Sequence, residues 1–115
     1  MQQQIPKELQ GKIAQFQTLQ QQLQMVAVQK QQLVMDKAEA EEASKELATA
    51  KGDVYKSIGP LLIKSDKASL ETELKEAVTT TESRLSRLET QEQKLAVKGQ
   101  ELQKDLQASL AAGGA

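Results

Sequence analysis

The chain has 115 residues, a net charge of −1 from 15 basic and 16 acidic side chains, neither His nor Cys, and only two aromatics, Phe16 and Tyr55. It therefore lacks the ligands of ordinary structural zinc, a thiol nucleophile, disulfides and the histidine of a Ser-His-Asp hydrolase. The balanced charge lacks the basic footprint of a nucleic-acid binder, and no apolar run approaches the roughly 20 residues of a membrane span.

The apolar residues, 38% of the chain, are mostly Leu and Ala, Gln fills 18 further positions, and there are two prolines. That is the composition of long coiled-coil-like helices within at most one domain. The N-terminal run Met1-Gln2-Gln3-Gln4-Ile5-Pro6 has no apolar core of a secretory signal, so the expected location is the cytoplasm.

The first predicted element is a helix over about 7–50. Pro6 stands just before its first periodic residue, a helix-start signal. Leu19, Val26, Leu33, Ala40 and Leu47 form one set spaced by seven, and Phe16, Leu23, Lys30, Lys37 and Ser44 the other. Leu9 and Ile13 extend the stripe toward the N-terminus with a shift of register. Seven-residue spacing implies a left-handed supercoil against a partner helix. Lys30 and Lys37 then lay their stems along the seam and send their heads to water. The 13 Gln within the first 32 residues read as an uncharged solvated face, to which Met25 and Met35 add adaptable contacts if they point outward.

The middle, about 51–67, is of a different kind. Asp53-Val54-Tyr55-Lys56-Ser57-Ile58 and Leu61-Leu62-Ile63-Lys64-Ser65 flank Gly59-Pro60, which predicts a β-hairpin. The consecutive Leu61, Leu62 and Ile63 imply strands covered on both faces. A lone hairpin is marginal and has open edges, and nothing else in the chain covers it. Val54, Tyr55, Ile58, Leu61, Leu62 and Ile63 are therefore candidate subunit-assembly residues.

The last element is a helix over about 68–112, with Ser69, Thr72 and Glu73 supplying its polar start. Leu74, Thr81, Leu88, Leu95 and Leu102 form one seven-spaced set, and Val78, Leu85, Glu92, Gly99 and Leu106 the other. Gly99 costs about 1 kcal/mol relative to Ala and reads as a tolerated weak point. Two helices of equal length around a short connector pair antiparallel, with Phe16 near Leu102, Leu23 near Leu95 and Leu33 near Leu85. That register gathers Ile5, Leu9, Ile13, Phe16, Leu102, Leu106 and Leu110 at the end far from the hairpin. Carboxylate pairs such as Glu41-Glu42 lie on a helix with no pocket to raise a pKa, so no enzyme, cofactor or metal is expected.

The hairpin segment Val54-Tyr55-Lys56-Ser57-Ile58-Gly59-Pro60-Leu61-Leu62-Ile63-Lys64 between two helices resembles the β-type subunits of prefoldin. So do Leu19-Gln20-Gln21-Gln22-Leu23, Gln29-Lys30-Gln31 and Glu89-Thr90-Gln91-Glu92. The resemblance spans about residues 5–110 and implies a single prefoldin-like domain over 1–115. The fold it implies is mostly α, a long antiparallel two-helix coiled coil joined by a β-hairpin that contributes to an oligomeric β-barrel. It further implies an ATP-independent holdase subunit of a cytosolic hetero-hexamer of two α-type and four β-type chains, of the archaeal kind. The partners so implied are α-type subunits, non-native client proteins held at the coiled-coil tips by the terminal residues named above, and a group II chaperonin. The competing expectation is a structural coiled-coil spacer whose hairpin docks to one fixed partner.

Overall fold

The computed structural model describes residues 6–113. Four elements follow one another: helix α1 (Lys7–Thr49), strands β1 (Val54–Ile58) and β2 (Leu61–Ser65), and helix α2 (Lys67–Gly113). The fold is thus mostly α, with two long helices and one antiparallel hairpin, as expected. The Pro6 carbonyl accepts the first bond of α1, from Gln10 N at 2.9 Å. Proline suits this place because its fixed φ matches the helix and no first-turn N–H is lost. Glu8 in the same turn faces the positive end of the helix dipole.

The far end of α1 is closed by three contacts. Ala50 N bonds back to Leu47 O at 3.2 Å, Thr49 Oγ1 donates to Glu46 O at 3.1 Å, and Lys67 Nζ donates to Ala48 O at 3.2 Å. A lysine on the last carbonyls both satisfies them and neutralises the negative helix end. Gly52, at φ +103°, then turns the chain toward β1.

The hairpin pairs Val54 with Ser65, Tyr55 with Lys64, Lys56 with Ile63, Ser57 with Leu62 and Ile58 with Leu61. Its loop is Gly59-Pro60 alone. Gly59 has φ +56° and, among the described residues, no non-glycine residue has a positive φ, which is the pattern of a type II′ turn with glycine first. Asp66 caps α2: its Oδ2 accepts from Ser69 N at 3.3 Å and from Ser69 Oγ at 3.1 Å, and its carbonyl accepts Leu70 N at 3.0 Å. The polar start expected from Ser69, Thr72 and Glu73 is therefore built around Asp66. Ser69 is the residue capped, and Thr72 bonds back to the Ala68 carbonyl.

The chain divides into two compact units. One joins residues up to Gln29 with those from Leu88 onward; the other is Lys30–Arg87. In the first unit, Lys12 Nζ reaches Ser109 Oγ at 3.4 Å, and Gly99 lies against Leu19. As the number rises along α1 it falls along α2, so the segments are antiparallel. In the second unit Lys37 pairs with Glu82 at 3.2 Å and Lys67 with the Ala48 carbonyl, with the same sense. Leu19, Val26 and Leu47 are buried, and every other residue of the four seven-spaced sets is half-buried. The predicted seam is thus the seam of each unit. Gly99 is more than a weak point: a Cβ there would stand 3.0 Å from Leu19 Cδ2, so its lack of a side chain makes room for a buried leucine.

Candidate functional site

The hairpin is anchored at its base and uncovered beyond it. Lys56 Nζ binds Glu73 Oε2 at 2.8 Å, tying β1 to α2, and Lys64 meets Asp53 at 3.6 Å across the strand ends. Residues paired across the ladder share a face and alternate along each strand. One face carries Val54, Lys56, Ile58, Leu61 and Ile63; the other carries Tyr55, Ser57, Leu62 and Lys64. Val54 and Lys56 turn toward the helices and are half-buried. The remaining apolar residues are open on both faces: Leu62 is 74% exposed, Leu61 61%, and Tyr55, Ile58 and Ile63 lie between 45% and 56%. The sheet has two strands, so each strand also offers an unpaired edge. A monomer rarely leaves so dense an apolar cluster in water.

The terminal candidates divide differently. Ile5 lies outside the described residues. Leu9, Ile13, Phe16, Leu102 and Leu106 are half-buried and belong to the unit formed by the two chain ends. Leu110 stands outside the seam at 59% exposure. The inward position there is Ser109, because a three-residue step follows Leu106. A cleft in this unit is lined by Leu19 and Leu102 with Ala14, Thr18, Lys98 and Asp105 among its walls, so polar and apolar groups mix where the helices meet.

Met25 and Met35 do point outward, and Val28, Val34 and Val97, to which the sequence assigned no role, are exposed as well. Met25 and Val28 are each 62% exposed, and Val34, Met35 and Val97 are also open. Met25 and Val28 line a shallow surface with Gln21, Gln24 and Gln29. The signal was available: all of these positions, four on α1 and Val97 on α2, fall between the seven-spaced sets. Lys37, read as a stem along the seam with its head in water, sends that head to Glu82 at 3.2 Å and Glu41 at 3.8 Å. Among the described residues no helix is long and apolar enough to cross a membrane.

A two-helix chain with a half-anchored, doubly apolar hairpin defines a class: a subunit built to be completed by other chains. The model of the prefoldin subunit family matches residues 10–112. A prefoldin subunit beta of Methanothrix thermoacetophila is 44% identical over 108 residues, covering 92% of this chain and 90% of that protein. One from Pyrococcus horikoshii is 43% identical over 110 residues, covering 94% of each. The crystal structure of the prefoldin beta subunit from Thermococcus strain KS-1 superposes with a TM-score of 0.82 at 40% identity, covering 95% of this chain and 97% of that one. The beta2 subunit of the same strain, at 19% identity and a TM-score of 0.68, shares the fold. The chain belongs to the prefoldin subunit family, a family of chaperone subunits.

Proposed function

We propose that this chain is a β-type subunit of an ATP-independent holdase, assembled through its hairpin with α-type partners and further β-type copies into a cytoplasmic hexamer of two α-type and four β-type chains. The observation that carries this reading is the hairpin: apolar on both faces, exposed in the single chain and open at both edges. Burying that surface between subunits removes apolar area from water, the main favourable term of association. The match to archaeal β subunits along nearly the whole chain supports the choice of β-type.

Client capture belongs to the helix ends. Leu9, Ile13, Phe16, Leu102 and Leu106 sit in a two-helix seam with solvent on either side, and Leu110 is outside it. Local opening of such termini is the cheapest motion a protein has, and it presents apolar side chains that match those of a non-native polypeptide. Several weak sites on one platform bind by effective concentration, and a group II chaperonin receives the client.

Native mass spectrometry of the complex purified from its host tests the assembly: four copies of this chain with two of a longer subunit are expected. A homodimer, or one large unrelated partner, would favour a scaffold instead. Replacing Ile58 and Leu62 together with Asp is expected to release monomers. The Phe16→Ser, Leu106→Ser pair is expected to leave the hexamer intact and to reduce suppression of aggregation without ATP several-fold. Unchanged suppression would move the client site away from the helix ends.

A further inference from the structure

The hairpin is joined to the two helices unequally. Only Asp66 stands between β2 and α2, whereas residues 50–53 separate α1 from β1. Asp66 is fixed to the first turn of α2: its side chain accepts from Ser69 N and Ser69 Oγ, and its carbonyl from Leu70 N. The other connector passes through Gly52 at φ +103°, a backbone region that glycine enters at no steric cost. A Cβ at Gly52 would meet nothing within 4 Å, so no neighbour braces the connector at that point.

The side chains repeat the asymmetry. Lys56 is the one charged residue on its ladder face, among Val54, Ile58, Leu61 and Ile63. Its ammonium leaves that face to meet Glu73 Oε2 at 2.8 Å. Glu73 lies two turns beyond Asp66, about 10 Å along the helix axis, so the hairpin is held to α2 at two separated points. Among the described residues, no hydrogen bond or ion pair joins α1 to either strand. The end of α1 faces the base of the hairpin across an open cleft of about 500 Å³, walled by Ala43, Leu47 and Ala50, by Val54 of β1, and by Leu70 and Leu74 of α2. Two of those three α1 residues end at Cβ, which leaves the gap unfilled.

We propose that the hairpin and the start of α2 form one rigid body, with Lys56–Glu73 as the positioning contact that fixes the direction in which α2 leaves the sheet and with residues 50–53 as a slack connector. A covalent joint at Asp66 alone leaves the hairpin free to tilt against the helix. A second contact two turns along removes that tilt. α1 follows α2 through the seam they share, where Leu47 is buried. Lys56 and Glu73 are 43% and 50% exposed, and ion pairs so exposed add little to stability, so the loss of this one is read in direction and not in melting. The use of the contact rests on the reading of the hairpin as the assembly element: once other subunits hold the sheet, it sets the angle at which the helices leave.

The chain has no Cys, so spin labels on Ser57→Cys in the hairpin and Thr80→Cys in α2 report one distance within the full-length chain. Labelled chain is diluted with unlabelled chain and read by double electron–electron resonance, and a narrow distribution is expected. Lys56→Met and Glu73→Gln are each expected to broaden it at least two-fold with the melting temperature unchanged. Lys56→Glu and Glu73→Lys together are expected to restore the narrow form. Inserting Gly-Gly between Ser65 and Asp66 should broaden it as well, whereas the same insertion between Lys51 and Gly52 should leave it unchanged. An unaltered width in Lys56→Met, or equal broadening by the two insertions, overturns the proposal, as does a broadening matched by lost helix in circular dichroism. The distance lies within one chain, so native mass spectrometry of the unlabelled complex judges the assembly reading separately. A hexamer together with an unaltered Lys56→Met width refutes the positioning role alone; a homodimer together with a broadened width refutes the assembly reading alone.

Discussion

Val26 in the helical seam is 4% exposed, while Leu62 in the hairpin is 74% exposed. Both are branched aliphatic residues in regular, well-paired elements of one chain. In the seam each helix supplies the cover of the other, and burial is deepest at Leu19, Val26 and Leu47. In the hairpin the backbone is satisfied between the strands, yet neither face has a layer above it. Apolar side chains of one kind thus mark two boundaries: where the chain finishes itself, and where another molecule must finish it.

That contrast can be broken from either side, and the largest effect is expected in the seam. Val26→Asp places a charge with no partner in a buried position, and a loss of about 3 kcal/mol or more is expected, read by thermal melting of the isolated chain. Leu62→Asp, in the same assay at a concentration where the chain is monomeric, is expected to change stability by no more than about 0.5 kcal/mol. Its effect should appear as lost assembly. Equal destabilisation by the two would mean the hairpin is covered within the chain after all.

A smaller effect is expected at the turn. Gly59→Val forces a β-branched side chain to a φ near +56°, at a cost of about 1–2 kcal/mol. Strand pairing and assembly should weaken while the helical signal in circular dichroism is kept. Asp66→Ala removes the cap of α2 and is expected to cost about 1 kcal/mol; Asp66→Asn should recover most of it. The smallest net change is expected for Gly99→Ala. It gains about 1 kcal/mol of helix propensity and crowds Leu19, so stability should move by less than about 1 kcal/mol. In a Leu19→Ala background the crowding is gone and the full gain should appear. Strictly additive substitutions would show that Gly99 and Leu19 do not interact.

Much of this architecture could be read from residue spacing. The seven-residue sets marked the less exposed face along both helices, because a side chain's angular position on a helix follows from its number alone. Gly59-Pro60 marked the turn, because glycine accepts the positive φ and the residue after it needs no free N–H. Other features depended on what lies across the gap. Asp66 precedes the expected start of α2, and Ser69 three residues later was itself a plausible cap; only the hydrogen bonds to Ser69 separate the capping residue from the capped one. Gly99 looked costly in isolation, and its reason is Leu19, 80 positions away. Leu110, by contrast, fell outside the seam because the set Leu74, Thr81, Leu88, Leu95 and Leu102 continues by seven to Ser109, so the spacing itself assigned the inward place to Ser109.

The sequence by itself determined the element types, the faces, the antiparallel register and the incomplete hairpin. Each follows from local periodicity, from turn chemistry, or from the count of apolar residues that the chain has no means of covering. Only the tertiary structure decided which half-buried positions close fully, which capping and ion-pair partners hold the hairpin at its base, and that a cleft with alanine walls opens beneath it. Those outcomes depend on distances between residues remote along the chain, and such distances exist only once the helices have packed.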